Sequence, residues 1–387
     1  MKRIIFGITG LTIGGAERVL IDISNRLVND YDYDVTIFTL YSKGELEKEL
    51  DKKVNLIQLF DFKYNEVSKK EKLKAVFKVF FGKKKIYRKY IESGNYDVEI
   101  SFLEGAITRI FSTKFREKVL NRKKPKKIAW IHNDMSKVFG KSLKSKIKRI
   151  IDRNAYEKYD TLVFVSMDNM DKFNKINDDM DLPHERVVYN YIYKKRIKNL
   201  AKESFDNPFK KGEINFVQVS RLVEQKGIDR IIRAHKNVLD GGFKHKIFII
   251  GDGPERSKLE KLIKEQGVEK TFILLGQKEN PYPYIKNADY FCLFSKFEGY
   301  GMVIDEAKIL NKFVLITDTA ARESILDYHE YSKTAENSQE GIERMLRDAI
   351  KYRQTYLGKK IDYEYDDKRL IEKVVRQIEK VEEEKKL

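Results

Sequence analysis

Short apolar runs alternate with helix-period stretches along the whole chain, and that alternation does most to fix what it can fold into. Strand-like runs fall at residues 3–8, 34–40, 54–59, 97–102, 127–131 and 161–165, then at 214–219, 246–250, 271–275, 289–294 and 313–317. Strands joined through helices read as parallel α/β sheets. Between residues 190 and 212 the apolar pattern lapses into a polar stretch containing Asn207-Pro208, which reads as a linker. The expectation is α/β with two doubly wound, Rossmann-like domains, over residues 1–195 and 205–363. A chain of 387 residues is long enough for both. Leu370, Ile371, Val374, Val375 and Ile378 stand at helical spacing, predicting a long amphipathic helix over residues 364–387. In open parallel sheets ligands bind beyond the carboxyl ends of strands, here expected in a central cleft between the domains.

The segment from Glu298 through Gly299, Tyr300, Gly301, Met302 and Val303 to Glu306 follows the strand-like run 289–294. Its glycines allow a sharp turn and a close approach to a ligand. A helix starting near Gly301 leaves the amides of Tyr300 to Val303 pointing outward, ready for an anion. Glu298 lies before that site and Glu306 about a turn inside the helix. Two carboxylates flanking a phosphate-sized pocket suit a ligand with hydroxyl pairs at both ends and phosphate between, the layout of a nucleotide-sugar.

Arg221 and Lys226 occupy the turn after the strand at 214–219. An arginine fork and a compact lysine charge there can converge on phosphate. Gly14-Gly15 follows the first strand and opens a helix, but lacks the G-x-G-x-x-G pattern of a dinucleotide fold. Gly251-Asp252-Gly253-Pro254 forms another strand-to-helix turn, with Pro254 expected in the first helical turn. Gln277 follows the strand at 271–275, and His132 closes the strand at 127–131. No His/Cys/Asp cluster has ligand spacing, so no protein-held metal or other cofactor is expected.

Taken in order, Gly14-Gly15, His132, Arg221 with Lys226, Gly251 to Pro254, and Glu298 with Glu306 resemble the retaining GT-B glycosyltransferases of family 4. The resemblance spans almost the whole chain and is tightest in its second half. It implies that the C-terminal helix crosses back to the first domain. It further implies that Arg221 and Lys226 hold the donor diphosphate, that Glu306 takes the ribose diol and that Glu298 takes sugar hydroxyls. The Gly14-Gly15 loop would face the donor phosphates and sugar, Gly251 would lie near the nucleotide, Gln277 would contact the base through its backbone, and His132 would lie beside the transferred sugar. The function implied is metal-independent transfer of a hexose-type sugar, from a UDP-sugar by preference, to a growing and lipid-linked cell-surface glycan. The alternative is a non-catalytic nucleotide-sugar-binding adaptor on the same scaffold; intact Glu298, Glu306, Arg221 and Lys226 argue against it.

The net charge of +18 is concentrated in the first half. Residues 69–90 carry ten Lys/Arg against the single Glu71; further clusters lie at 122–127 and 141–153. Such patches call for an anionic partner, and an anionic membrane surface is the expectation, with Leu73, Val76, Phe77 and Phe80 on one face of the 69–90 helix. A core-packed helix with solvated lysines fits the same spacing. Aromatic rings within the basic stretch could stack on bases, but no nucleic-acid module is recognisable and no nucleic-acid partner is expected. The lone Cys292 sits in an apolar run, a buried thiol consistent with a reducing compartment. The apolar start, residues 3–8, reads as a first strand rather than a leader because Gly14-Gly15, Glu17 and Arg18 follow at once. No stretch reaches the length of a membrane span. The expected location is cytoplasmic, peripheral on the inner face of the membrane.

Overall fold

The computed structural model describes residues 1–117, 121–138 and 143–379, with side chains omitted for 137–138 and 143–148. Of the basic cluster at 141–153, residues 141–142 lie outside the described residues and the side chains are described from 149 on; the part of the expected C-terminal helix beyond 379 also lies outside the described residues.

Contacts divide the chain into two units, residues 1–191 with 367–387, and residues 192–366. The first holds a seven-stranded sheet in the order β3-β2-β1-β4-β5-β6-β7. Its strands are β1 (Arg3–Ile8), β2 (Asp34–Tyr41), β3 (Asn55–Phe60), β4 (Val98–Ser101), β5 (Lys126–Ile131), β6 (Thr161–Phe164) and β7 (His184–Val187). The second holds a six-stranded sheet ordered β10-β9-β8-β11-β12-β13. Its strands are β8 (Asn215–Val219), β9 (Lys246–Ile250), β10 (Phe272–Gly276), β11 (Tyr290–Leu293), β12 (Phe313–Thr317) and β13 (Ser332–Ala335). Neighbouring strands pair in parallel in both sheets. This is the doubly wound order, reversing direction between β1 and β4 and again between β8 and β11, and the crevice opens where the order reverses.

The central strands are apolar on both sides because helices cover both faces. Ile4, Ile5, Phe6, Ile100, Ile128 and Val163 are buried in the first sheet, and Phe216, Val217, Ile249, Phe291, Val314 and Leu315 in the second. Each such side chain contributes roughly 1.5–3 kcal/mol on leaving water. Cys292 lies in β11, buried, with its thiol held well above the usual range by desolvation.

Two strands have no counterpart in the sequence expectation: β7, reading His-Glu-Arg-Val, and β13, reading Ser-Lys-Thr-Ala. Both are edge strands, where one flank stays open and no continuous apolar run is required. The helix Asp367–Glu379 belongs to the first unit and buries Ile371, Val374 and Ile378. Lys126 Nζ donates to the Gln377 carbonyl at 2.7 Å, and Lys2 pairs with Glu379 at 2.7 Å. The helix starts three residues later than the expected 364 because residues 360–366 run irregularly before Asp367. The polar stretch around Asn207-Pro208 is packed on the second unit, with the Phe209 ring 5.0 Å from Phe248 and Phe205 4.7 Å from Tyr284.

Candidate active site

In the second unit the loops after β8 and β11 leave the sheet where its order reverses, and hydrogen bonds stitch them together. Lys296 N donates to the Gln225 carbonyl at 2.8 Å, and Gln225 Nε2 to the Phe297 carbonyl at 2.9 Å. Lys226 Nζ pairs with Glu298 Oε1, which also accepts from Ser295 Oγ at 2.5 Å. Below them Gln218 caps the strand ends, accepting from Phe294 N at 3.0 Å and donating to Ser220 Oγ at 3.1 Å. Arg221 is exposed, and its guanidinium makes no hydrogen bond or ion pair among the described residues. A cation at a strand end with nothing to neutralise it is available to an anionic ligand.

Gly301 caps the helix Met302–Ile309 in the left-handed region, at φ 77°, with no side chain closing the helix start. A Cβ there would come within 3.1 Å of Ile304 and 3.2 Å of Ala321 and Leu293. Gly301, rather than Gly299, is thus where the turn demands glycine. Behind this start, Tyr300 and Asp305 are buried, Lys308 Nζ reaches Asp305 at 3.0 Å and Asp327 at 2.7 Å, and it donates to the Ser324 carbonyl at 2.7 Å. Burial raises the Asp305 carboxyl above its usual range, and Lys308 works against that. The lysine ties the helix to the segment Ala320–Tyr331, and at its uncapped start the macrodipole favours negative charge. One turn in, Glu306 is mostly buried and accepts from Tyr282 Oη at 3.2 Å.

Gly251 and Gly253 let backbone lie on backbone. A Cβ on Gly251, at φ 140°, would fall 2.0 Å from the Ser220 carbonyl oxygen, and one on Gly253 2.4 Å from that of Leu222. Gly251 N donates to Gly276 O at 2.9 Å and Leu222 N to Asp252 O at 3.0 Å, so this turn supports the Arg221 loop from behind. Pro254 lies before the helix, which starts at Arg256 with Glu255 as its cap; the sequence placed Pro254 inside the first turn. Gln277 follows β10 with its side chain exposed.

In the first unit, Gly14 caps the helix Gly15–Asp30 after β1 in extended conformation. Beside that loop lies a cavity of about 340 Å³ lined by Thr9, Thr12, Glu17, Tyr41, Lys63 and Tyr64 among others. Burial raises the Glu17 carboxyl. His132 follows β5; its Nε2 is buried without a hydrogen-bond partner among the described residues, and desolvation pushes the ring down to about 3. The imidazole is therefore neutral near pH 7. Its ring packs on Phe102 with centroids 4.7 Å apart.

Sequence reasoning passed over Glu104, in the loop after β4. Its carboxylate accepts from the His132 and Asn133 amides at 2.6 and 2.7 Å and from Asn133 Nδ2 at 2.9 Å, fixing the loop that carries the histidine. Desolvation raises its carboxyl, opposed by those bonds. The available signal was an acid directly after an apolar strand at the reversal point. Ser295, Gln225, Tyr282 and Lys308 were also missed: Ser295 bonds to Glu298, Tyr282 to Glu306, Gln225 to the Phe297 carbonyl, and Lys308 to Asp305 and Asp327.

Residues 200–360 match the family described as glycosyl transferases group 1. The N-acetylgalactosamine-N,N'-diacetylbacillosaminyl-diphospho-undecaprenol 4-alpha-N-acetylgalactosaminyltransferase of Campylobacter jejuni is 26% identical over 371 residues, covering 93% of this chain and 94% of that one. The lipopolysaccharide glycosyltransferase WaaG superposes with a TM-score of 0.72 at 16% identity, covering 97% of this chain and 99% of that one. HepE of Anabaena, solved in complex with UDP, superposes with a TM-score of 0.68 at 14% identity, covering 98% and 99%. The architecture shared with these structures is GT-B.

Proposed function

Residues 200–360 belong to the glycosyl transferases group 1 on a GT-B fold, and from that premise we propose that the chain moves a hexose-type sugar from a nucleotide diphosphate donor, UDP-linked by preference, to a hydroxyl of a growing lipid-linked glycan, with retention at the anomeric carbon. The observation that carries the reading is the convergence of charges where the second sheet reverses: Lys226 bound to Glu298, Arg221 in the same loop, and an uncapped helix start at Gly301. The lipid-linked acceptor is supported by the diphospho-undecaprenol named for the Campylobacter relative, and UDP by the ligand of the Anabaena structure.

In this proposal Arg221, Lys226 and the amides at Met302 and Val303 hold the diphosphate and stabilise the charge that builds on it as the glycosidic bond breaks. Glu306, oriented by Tyr282, accepts from the ribose diol, and Glu298 accepts from sugar hydroxyls. The acceptor oxygen bonds to the anomeric carbon on the face the phosphate leaves, and the departing phosphate oxygen takes the acceptor proton. No protein-held metal is required in this scheme, and the work takes place at the inner face of an anionic membrane. Among the described residues no helix is long and apolar enough to cross a membrane.

The test is a panel of nucleotide-sugars screened for thermal stabilisation and slow donor hydrolysis, with chelator present. Stabilisation by one nucleotide class with hydrolysis of one sugar is the expected result. Silence towards every nucleotide overturns the reading, and stabilisation with no turnover on any lipid-linked acceptor favours an adaptor.

A further inference from the structure

Periodicity alone leaves residues 69–90 open between a core helix and a surface-binding one. The structure separates the apolar residues of the helix Lys69–Tyr90 into two sets. Ala75, Val79, Ile86 and Tyr87 are buried in the first unit. Leu73, Val76, Phe77, Phe80 and Phe81 face away and are 57%, 50%, 54%, 45% and 74% exposed. Their spacing places them on one stripe. The Phe77 and Phe81 rings stack at 5.7 Å, and Phe80 meets Phe81 edge-on at 5.1 Å. Contiguous exposed aromatics on a surface mark a contact site.

The charge around this stripe identifies what covers it. Lys74, Lys78 and Lys85 run along its flank, all exposed. The helix's one acid, Glu71, is engaged with Ser68 in the capping box that starts it. Among the described residues no ion pair joins a lysine or arginine of this helix to a carboxylate. A second copy of the chain would set like charges against like. A nucleic acid would meet the lysines but leave Leu73 and Val76 in water. An anionic lipid surface satisfies both sets at once, with headgroups for the lysines and the acyl boundary for the rings.

We propose that the helix Lys69–Tyr90 is a membrane-docking element that inserts the Leu73, Val76, Phe77, Phe80 and Phe81 stripe at the headgroup boundary of anionic phospholipid. The inference deepens the membrane-surface part of the proposed function and rests on it; binding and turnover are measured separately so that either can fail alone.

The experiment is co-sedimentation of the full chain with phosphatidylcholine vesicles, with and without phosphatidylglycerol. The wild-type chain is expected to bind only the anionic vesicles. Phe77→Ser with Phe80→Ser and Phe81→Ser should weaken binding on the order of a hundredfold, and Lys74→Glu with Lys78→Glu and Lys85→Glu should abolish it. Because these side chains are exposed, nucleotide-sugar stabilisation of the second unit should stay unchanged, which separates lost docking from lost folding. The native Trp130 is buried; Phe81→Trp therefore adds an indole that brominated lipid should quench. Equal binding by the serine variant, or no quenching, overturns the insertion. So does concentration-dependent dimerisation that the serine variant abolishes, or retention by RNA without retention by vesicles.

Discussion

The Lys226 ammonium lies 2.5 Å from a Glu298 carboxylate oxygen, although 72 residues separate the two in the chain. Each neutralises the other in a mostly shielded setting, so neither presents a full charge until a ligand divides them. In the proposed function the diphosphate is what draws Lys226, and sugar hydroxyls are what draw Glu298.

Replacing the carboxylate alone should split binding from turnover. Glu298→Gln keeps the shape but frees the whole Lys226 charge for the diphosphate. Turnover is expected to fall about 10²–10³-fold, while affinity for the free nucleoside diphosphate is held or increased. Calorimetry beside single-turnover assays reads both. Weaker nucleotide binding with unchanged turnover would place Glu298 outside the sugar site.

Arg221 and Lys226 should each matter for the diphosphate and little for the base. Arg221→Ala and Lys226→Ala are expected to weaken nucleoside diphosphate binding by roughly 10–100-fold each, the scale of a charge-assisted hydrogen bond. Binding of the bare nucleoside should barely change. Near-wild-type transfer by the double variant would remove both residues from the site.

Gly301 and Gly267 form a matched pair for testing the helix start. Both have positive φ, 77° and 65°, but a Cβ on Gly267 meets open space. Gly267→Ala should cost only the backbone penalty, roughly 1–2 kcal/mol. Gly301→Ala adds crowding against Ile304, Ala321 and Leu293, so the chain must shift at the amides proposed to hold phosphate. Denaturation should find it the less stable of the two, and nucleotide binding should drop in Gly301→Ala alone.

The strands that place the site were legible because burial on both faces leaves a continuous apolar run, as in Lys246–Ile250, where the expected and observed limits coincide. The missed strands, β7 and β13, lie at sheet edges and, unlike the edge strands β3 and β10, carry no apolar run. Arg221, Lys226 and Glu298 could be read because strand-end loops carry few other charges. Glu104 also follows a strand, but its role, like that of Tyr282, depends on which side chain a fold brings opposite it, 28 residues away for Glu104 and His132, and 24 for Tyr282 and Glu306. Glycine roles followed the same division: turns were visible, but only backbone geometry shows that Gly251 rests on the Ser220 carbonyl.

Acid should destabilise the first unit through His132. Its folded value, about 3, lies below the unfolded value near 6.5. Between those limits the unfolded chain binds the extra proton, so stability falls as pH drops below about 6.5, by up to roughly 1.4 kcal/mol per unit. Glu104, raised by burial, acts in the opposite sense nearer its own range. Urea unfolding followed by the fluorescence of Trp130, buried in β5, reads this unit directly. His132→Gln should flatten the slope by about a quarter of a proton at pH 7, growing to roughly nine-tenths of a proton at pH 5.5. An unchanged slope would mean that the ring is solvated and titrates normally.

Glu306 should discriminate by the ribose. Its carboxylate is mostly buried and oriented by the Tyr282 hydroxyl at 3.2 Å. Glu306→Ala removes the acceptor for a vicinal diol while leaving the Lys226 and Arg221 loop intact. The KM for the nucleotide-sugar is expected to rise about 10–100-fold, and inorganic pyrophosphate should inhibit the variant as well as it does the wild type. Tyr282→Phe loosens the carboxylate without removing it, so a rise of only a few-fold is expected. Transfer from a 2′-deoxy donor makes the relationship testable on the ligand side: that donor should be poor for the wild type yet lose little further in Glu306→Ala. An equal further loss would show that Glu306 acts by holding its helix rather than by meeting the ribose.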